Sequence, residues 1–453
     1  MATITVLTPT GTLGYGFGAE ALEGGMRLKP DVIAVDAGST DPGPHYLGSG
    51  EPLVSRFSMK RELSDLLRVS RKAGIPLVVG SAGGSGCRSH VDWTVEIVRE
   101  IAREQGLSFK LAWIYADVPT ERVKAALSRG EVKDFEAGFA LTEEMLDETV
   151  ALVAQMGHEP IAEALDGGAD VVIAGRSCDD SAIAAFPIAR GADPGLAMHM
   201  GKILECGAFS AEPFGMDVMV GIVRDDHFLL EPGSAGRRAS VTSVAAHTLY
   251  EREDPFLQPG PGHSMDLTQC RFDQVSDRRV RVSGSRFIKS DEYWVKLEGV
   301  RRAGFRSISI AGIRCPTMIA RIDEILGDVQ NEALRYFASN EFELGFRVYG
   351  RDGVMGKLEP QRTITSHELG LVIDVVAPNQ EFAHAVAHHV SGNLLHYHFP
   401  GQFNTSGNVA FPYSPSEIDA GPNYRFSAYH LMRLSSPLEL FPIHFETIQN
   451  VHH

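Results

Sequence analysis

The stretch Asp31–Gly50, DVIAVDAGSTDPGPHYLGSG, decides how the N-terminal half of the chain is read. An apolar, β-branched run stops at an acid and gives way to glycine, serine, proline and a second acid. A short run without polar alternation fits a strand buried on both faces. Glycine, proline and aspartate at its exit turn the chain. The same pattern recurs at Thr3–Leu7 before TPTGTLGYGFG, at Pro76–Val79 before GSAGGSG, at Lys110–Tyr115, and at Asp170–Ile173 before GRSCDD. Between these runs, ELSDLLRVSRKAG, VDWTVEIVREIAREQG and EEMLDETVALVAQMG place apolar residues every three or four positions and end on glycine, which predicts helices. Alternating strands and helices predict an α/β fold: a mostly parallel sheet with helices on both faces and right-handed crossovers. Ligands of such sheets bind beyond the carboxyl ends of the strands. The polar exits are therefore expected to converge on one pocket.

The texture changes after residue 215. VRVSGSRF, YWVKLEGV and SISIAGI read as strands separated by turns, VAAHTLYE begins a short helix, and PTMIARIDEILGDVQNEALRYFA is a longer helix ending near Ala338. EFELGFRVYG, HELGLVIDVVA, the helix NQEFAHAVAHHVSGNLLHYHF and Tyr424–Ala428 then follow in the order strand, strand, helix, strand. Two domains are expected: 1–338 as an α/β catalytic domain with a strand-rich later portion, and 339–453 as a smaller α+β domain, for which a ferredoxin-like arrangement is one option.

Composition narrows the function. A chain of 453 residues exceeds one ordinary hydrophobic core, and 43% apolar content with 22% charged residues is that of a globular protein. Glycine, at 46 residues, is in excess of the usual share, as expected where backbones approach one another or an anionic ligand. A net charge of −16 without a basic stripe argues against a nucleic-acid partner. No apolar run approaches the roughly 20 residues of a membrane-spanning helix. The start, MATITVLTPTG, does not have the form of a secretory leader. Five scattered cysteines without a CxxC pair suggest reduced thiols, so a cytoplasmic location is expected. A homo-oligomer is expected from size alone.

The candidate chemistry sits at the strand exits. Asp36 and Asp41, with Ser39, His45 and Tyr46, can hold a divalent ion or split into one acid and one base; Asx-type turn formation explains the same residues without function. Ser81, Gly83 and Gly84 in GSAGGSG can present successive amides to a carboxylate or phosphate, or simply pack closely. The segment is neither a phosphate loop of the GxxxxGK[ST] type nor a dinucleotide fingerprint. In GRSCDD, Arg176 can fork onto a carboxylate beside Ser177, while Asp179 and Asp180 face the start of a helix that they can equally well cap. His199, Lys202 and Glu205 share one helical face and can supply a base, a cationic stabiliser and an acid, or two metal ligands. Solvated Lys–Glu pairing is the alternative. Lys296 and Glu298 lie two apart on one strand face, and Arg314 follows SISIAGI. Whether a metal is required is left open by the residues, and any cofactor is unknown beyond a possible divalent ion.

VDAGSTDPGPHYLGSG, GSAGGSG, AGRSCDDSAIAAFPI and HMGKILECGAFSAEP, followed by VAAHTLYE, VRVSGSRF, YWVKLEGV and FRSISIAGIR, resemble the acyclic terpene utilisation AtuA family. The C-terminal GQFNTSGNVAFPYSPSEI and YRFSAYH resemble the extended region of some members. Cys315 stands where the family's IAGIRD-like pattern carries an acid, so no metal or proton role carries over to that position. The resemblance implies a part in degrading acyclic terpenes or other branched carboxylates. Together with the residues it leads to an expected lyase or hydratase-like enzyme. Its substrate would be a small hydroxy- or unsaturated carboxylate, or its acyl thioester with coenzyme A. Arg176 and the Gly80–Gly86 amides would bind the anion. His199, Asp36 or Asp41 would move a proton, and Lys202 or a divalent ion would stabilise an enolate-like transition state. An isomerase using the same proton abstraction, or a non-catalytic metabolite-binding subunit of a larger assembly, are the alternatives.

Overall fold

The computed structural model describes residues 3–449 except 136, 252, 339, 340 and 403. Two compact units account for them: residues 1–301 together with 426–453, and residues 302–425. The division thus falls inside the long strands Tyr293–Ile313 and Glu417–Leu434, whereas the sequence pattern suggested a boundary at 338/339.

The first unit is built on a ten-stranded sheet. Its centre holds five parallel strands in the order Ile4–Thr8, Val32–Asp36, Leu77–Gly80, Val171–Ala174 and Phe109–Ile114. The expectation of a mostly parallel sheet is nevertheless wrong. Met219–Val223, His227–Pro232, Arg279–Ser283 and Arg271–Ser276 extend one edge antiparallel, and Ile443–Ile448 adds an antiparallel strand to Phe109–Ile114 at the other. The reason is connection length. The chain turns from Val223 to His227 within a few residues, with the Arg224 N–H donating to the His227 carbonyl, and so short a link can only make neighbouring strands antiparallel. The burial pattern of Met219–Val223 matches that of the parallel strands, so its apolar run gave no sign of its direction.

Successive residues of the central strands enter two different cores. Val6, Val32, Ala34, Val78 and Val172 pack on one face, and Leu7, Ile33, Val35, Val79 and Ile173 on the other. The helices Arg56–Ala73 and Arg88–Gln105 contribute Leu63, Leu66, Val95 and Val98 to the second core. Ser55 accepts from the Ser58 N–H at the start of the first helix, and Gly74 and Gly106, in left-handed conformation, end the two. The remaining helix prediction, EEMLDETVALVAQMG, is half wrong: Glu143–Asp147 is one short turn of helix, and Thr149–Ala154 is a strand. Threonine and valines stiff at χ1 favour the extended form there, and pairing with Leu297–Arg301 fixes it.

In the second unit Glu343–Tyr349, Leu369–Ala377 and the later part of Tyr293–Ile313 pair antiparallel, covered by the helices Ile322–Phe337 and Gln380–His396 over a core of Ile325, Val329, Ile373, Val375, Val386 and Val390. Among the described residues no helix is long and apolar enough to cross a membrane.

Candidate active site

Three parallel-strand exits meet at one cavity of 230 Å³. Asp36, the last residue of its strand, is followed into the wall by Gly38, Ser39 and Asp41; the first strand supplies Gly11 and Thr12 beyond Thr8, and Val171–Ala174 supplies Asp179. Glu205 and Cys206 come from the end of the helix Pro194–Leu204, and Tyr250 and Glu251 follow the helix Val241–Thr248. Among the described residues, five carboxyl groups line the cavity and no lysine, arginine or histidine does.

The GSAGGSG loop lets these exits come close rather than lining the cavity. A Cβ at Gly38 would stand 2.6 Å from the Gly84 Cα, and one at Gly86 would stand 2.2 Å from the Arg176 nitrogen, both at positive φ. No side chain fits at either place.

The carboxylates are held by a line of alternating charges. Lys202 Nζ lies 3.3 Å from Glu251, 2.9 Å from Glu205 and 3.1 Å from Asp179. Asp179 is 3.9 Å from Arg176, whose Nε donates to Glu298 at 2.8 Å, and Glu298 accepts from Lys296 at 2.7 Å. Glu298 is fully buried and Arg176 and Lys202 nearly so. Charges this far from water persist only when paired. Burial alone would raise the Glu298 carboxyl, but the two cations beside it push it down to about 2. Asp179 is likewise held below its usual range despite burial, by Lys202 and Arg176.

Asp36 and Glu205 go the other way. Burial first, then the charge of Asp179, holds the Asp36 carboxyl well above the ordinary range, against the opposing pull of Arg176 and a Ser81 hydrogen bond. Its Oδ1 is buried with no hydrogen-bond partner. Burial pushes Glu205 up to about 7, with Asp179 adding to the shift and Lys202 opposing it. Two carboxyls of one cavity thus favour the protonated form far more than free ones do. That separation from Asp179 is what acid–base chemistry requires.

Two groups have ligand atoms close enough together to share a metal ion: Asp179, Glu205 and Glu251, and Glu205, Cys206 and His247, in each case within 4.8 Å of one another. In the first, the Lys202 ammonium already contacts all three carboxylates, so the protein supplies the cation itself. In the second, burial and the neighbouring Glu205 push the Cys206 thiol far up, away from the thiolate that a metal binds.

Of the residues singled out from sequence, Asp36, Ser39, Asp41 and Glu205 line the cavity, and Lys202 bonds to three carboxyls that do. Ser39 and Asp41 also close their own turn, the Ser39 hydroxyl donating to Asp41 at 2.7 Å. Arg176, Ser81 and Ser177 lie behind the wall: the guanidinium is directed at Glu298, at the Ser81 hydroxyl (3.2 Å) and at the Ser177 carbonyl (2.9 Å). Gly83 and Gly84 belong to the spacer loop. Asp180 is buried and accepts from the Ser181 hydroxyl at 3.2 Å. His199 is buried apart from the cavity wall, 2.7 Å from Ser285 and 3.1 Å from Thr248, with the rings of Phe228 and Phe272 edge-on to it. Tyr46 is half-buried in the short helix His45–Ser49. Arg314 is exposed and belongs to the second unit.

Sequence reasoning singled out Asp179 and Asp180 together, of which Asp179 lines the cavity, and it missed Glu251 and Tyr250. A turn of irregular backbone has no period from which side-chain direction can be read. It also passed over His90, three residues beyond Cys87. Burial raises the Cys87 thiol, but His90 and the hydroxyls of Ser89 and Ser85 more than offset it and bring it to about 7. Cys87 is buried among Leu47, Val153 and Val300.

The architecture is thus a mixed α/β sheet with an acid-lined cavity beyond its parallel strands. The chain belongs to the acyclic terpene utilisation family: the model described as Acyclic terpene utilisation family protein AtuA matches residues 56–413. Asp179, Glu205 and Glu251 fall within the matched stretch, whereas Asp36, Ser39 and Asp41 precede it. The residues beyond 413 are an additional C-terminal segment. Neither a curated protein nor a solved structure matches the chain.

Proposed function

We propose that the protein is an acid–base enzyme of the lyase or hydratase type, acting on a small hydroxy- or unsaturated carboxylate or its acyl thioester. The observation that carries this reading is the pairing, in one cavity, of the buried Asp36 carboxyl, whose Oδ1 lacks a partner, with Glu205. Their proton affinities suit the two ends of an elimination. Glu205, titrating at about 7, takes the proton from the carbon next to the substrate carbonyl. The C–O bond to the departing hydroxyl breaks as Asp36, held protonated, gives its proton to that oxygen, and water leaves. Asp36 is then a carboxylate and Glu205 an acid, and transfer of one proton between them restores the starting state. Addition of water runs the same steps backwards. Lys202 steadies the cluster by offsetting three carboxylates at once, and its positive charge favours an enolate-like transition state nearby. The cavity, at 230 Å³, has room for an acyl group.

The test is exchange in D2O across a panel of 2- and 3-hydroxy acids, 2-enoic acids and their thioesters. Deuterium at the carbon next to the carbonyl, together with loss or gain of water, is expected for at least one member. Exchange without water transfer would replace the lyase by an isomerase. No exchange with any member, or exchange unaltered in Glu205→Gln and Asp36→Asn, would overturn the assignment.

A further inference from the structure

The line of alternating charges that begins at Glu251 ends at Lys296, and Lys296 lines a different cavity, of 250 Å³. Lys133 also lines it, as do the rings of Phe135 and Trp294, the side chain of Gln155, and Cys178. Among the described residues the one carboxylate in its wall, Glu292, is already engaged by the Trp294 indole N–H at 3.0 Å and by Arg433 at 2.7 Å. Behind the wall, a single carboxylate, Glu298, is shared by Arg176 and Lys296. The Lys296 ammonium also donates to the Tyr429 hydroxyl at 3.3 Å and lies 4.8 Å from that ring and 5.8 Å from the ring of Phe135. Lys296 stays charged: burial opposes its charge, and Glu298 outweighs burial. Lys133 is exposed, its ammonium 4.1 Å over the Trp294 ring. Two cations above flat apolar walls are the complement of an anion carrying an apolar body.

We propose that this second cavity binds a small organic carboxylate, its charge on Lys296 and Lys133 and its flat or branched body against Phe135 and Trp294. The site is distinct from the acid–base cavity: neighbouring residues of one turn, Cys178 and Asp179, line the two separately. Bare phosphate would meet the lysines but leave the aromatic walls uncovered, so a carboxylate with a hydrocarbon body is favoured.

Calorimetric titration with benzoate, alongside benzyl alcohol as its uncharged analogue and inorganic phosphate, tests the proposal on the full chain. Benzoate is expected to bind one per chain and at least tenfold more tightly than either comparison compound. Lys296→Met is expected to weaken it at least tenfold, and Trp294→Phe to remove the accompanying fluorescence change. If Lys296→Met does not fold, Lys133→Gln at the exposed rim serves instead, with an expected severalfold loss. Absence of benzoate binding, equal binding of benzyl alcohol, or binding indifferent to both lysines would overturn the proposal. Asp36→Asn is expected to bind benzoate as the wild type does, so failure of the acid–base reading and failure of this one are distinguishable.

Discussion

The cavity lined by Asp36 and the one lined by Lys296 differ little in volume, 230 and 250 Å³, yet among the described residues one presents five carboxyl groups and the other two ammonium groups with one carboxylate, Glu292. Both draw on the same charge network. Glu251, Lys202, Asp179, Arg176, Glu298 and Lys296 alternate in sign, so whichever group is last at each end gives its cavity a net character. Within the line Lys202, Arg176 and Glu298 are buried and paired, whereas Glu251 at one end is exposed and Lys296 at the other half-buried. Function at each end is therefore expected to be sensitive to charge, and stability to reside in the middle.

That contrast can be broken by experiment, most strongly at the acidic end. Asp36→Asn and Glu205→Gln are each expected to lower turnover by about 10²–10⁴-fold once a substrate is in hand, the usual worth of a positioned acid or base. Steady-state rates alongside circular dichroism would check this, and full activity in either would remove that residue from the chemistry.

Next comes the middle of the line. Arg176→Met leaves the buried Glu298 with Lys296 alone and Asp179 with Lys202 alone. Breaking a buried pair in this way costs on the order of 3–5 kcal/mol. Urea unfolding should show the loss directly; a change under about 1 kcal/mol would mean that the network does not hold the fold together.

A smaller effect follows from protonation. Glu205 sits at about 7 in the folded protein against an ordinary 4.5, so between those values the folded state holds a proton that the unfolded chain has released. The stability contributed by this group is complete below pH 4.5 and is lost as pH rises through 7, on the order of 3 kcal/mol in all. Glu205→Gln should flatten that decline when unfolding is compared at successive pH values. An identical decline in wild type and variant would place the shift elsewhere.

Smallest is the exposed rim of the second cavity. Lys133→Gln gives up only a cation–ring contact, about 0.5–1 kcal/mol, and its melting temperature should stay close to that of the wild type. A loss as large as that of Arg176→Met would erase the distinction between ends and middle.

How much of this was legible beforehand varies by segment. The five central strands were found within a residue or so of their observed ends because runs such as VIAV and VVIA must be buried on both faces. RRAGFR, in contrast, looked like a break between two strands, yet Tyr293–Ile313 is one strand of 21 residues, paired before that stretch with Thr149–Ala154 and after it with Leu369–Ala377. His199 and Lys202 share a helix, and only packing sends one to Ser285 and Thr248 and the other to three carboxylates.

The sequence by itself determined where strands end and which polar residues wait there, because burial on two faces forbids charge within the run and permits it at the exit. Only the tertiary structure decided sheet direction at the edges, the turn of Asp179 rather than Asp180 toward the cavity, and the partners of Arg176. Those depend on which distant segments come to lie within a few ångströms, and on how burial then sets the balance of their charges.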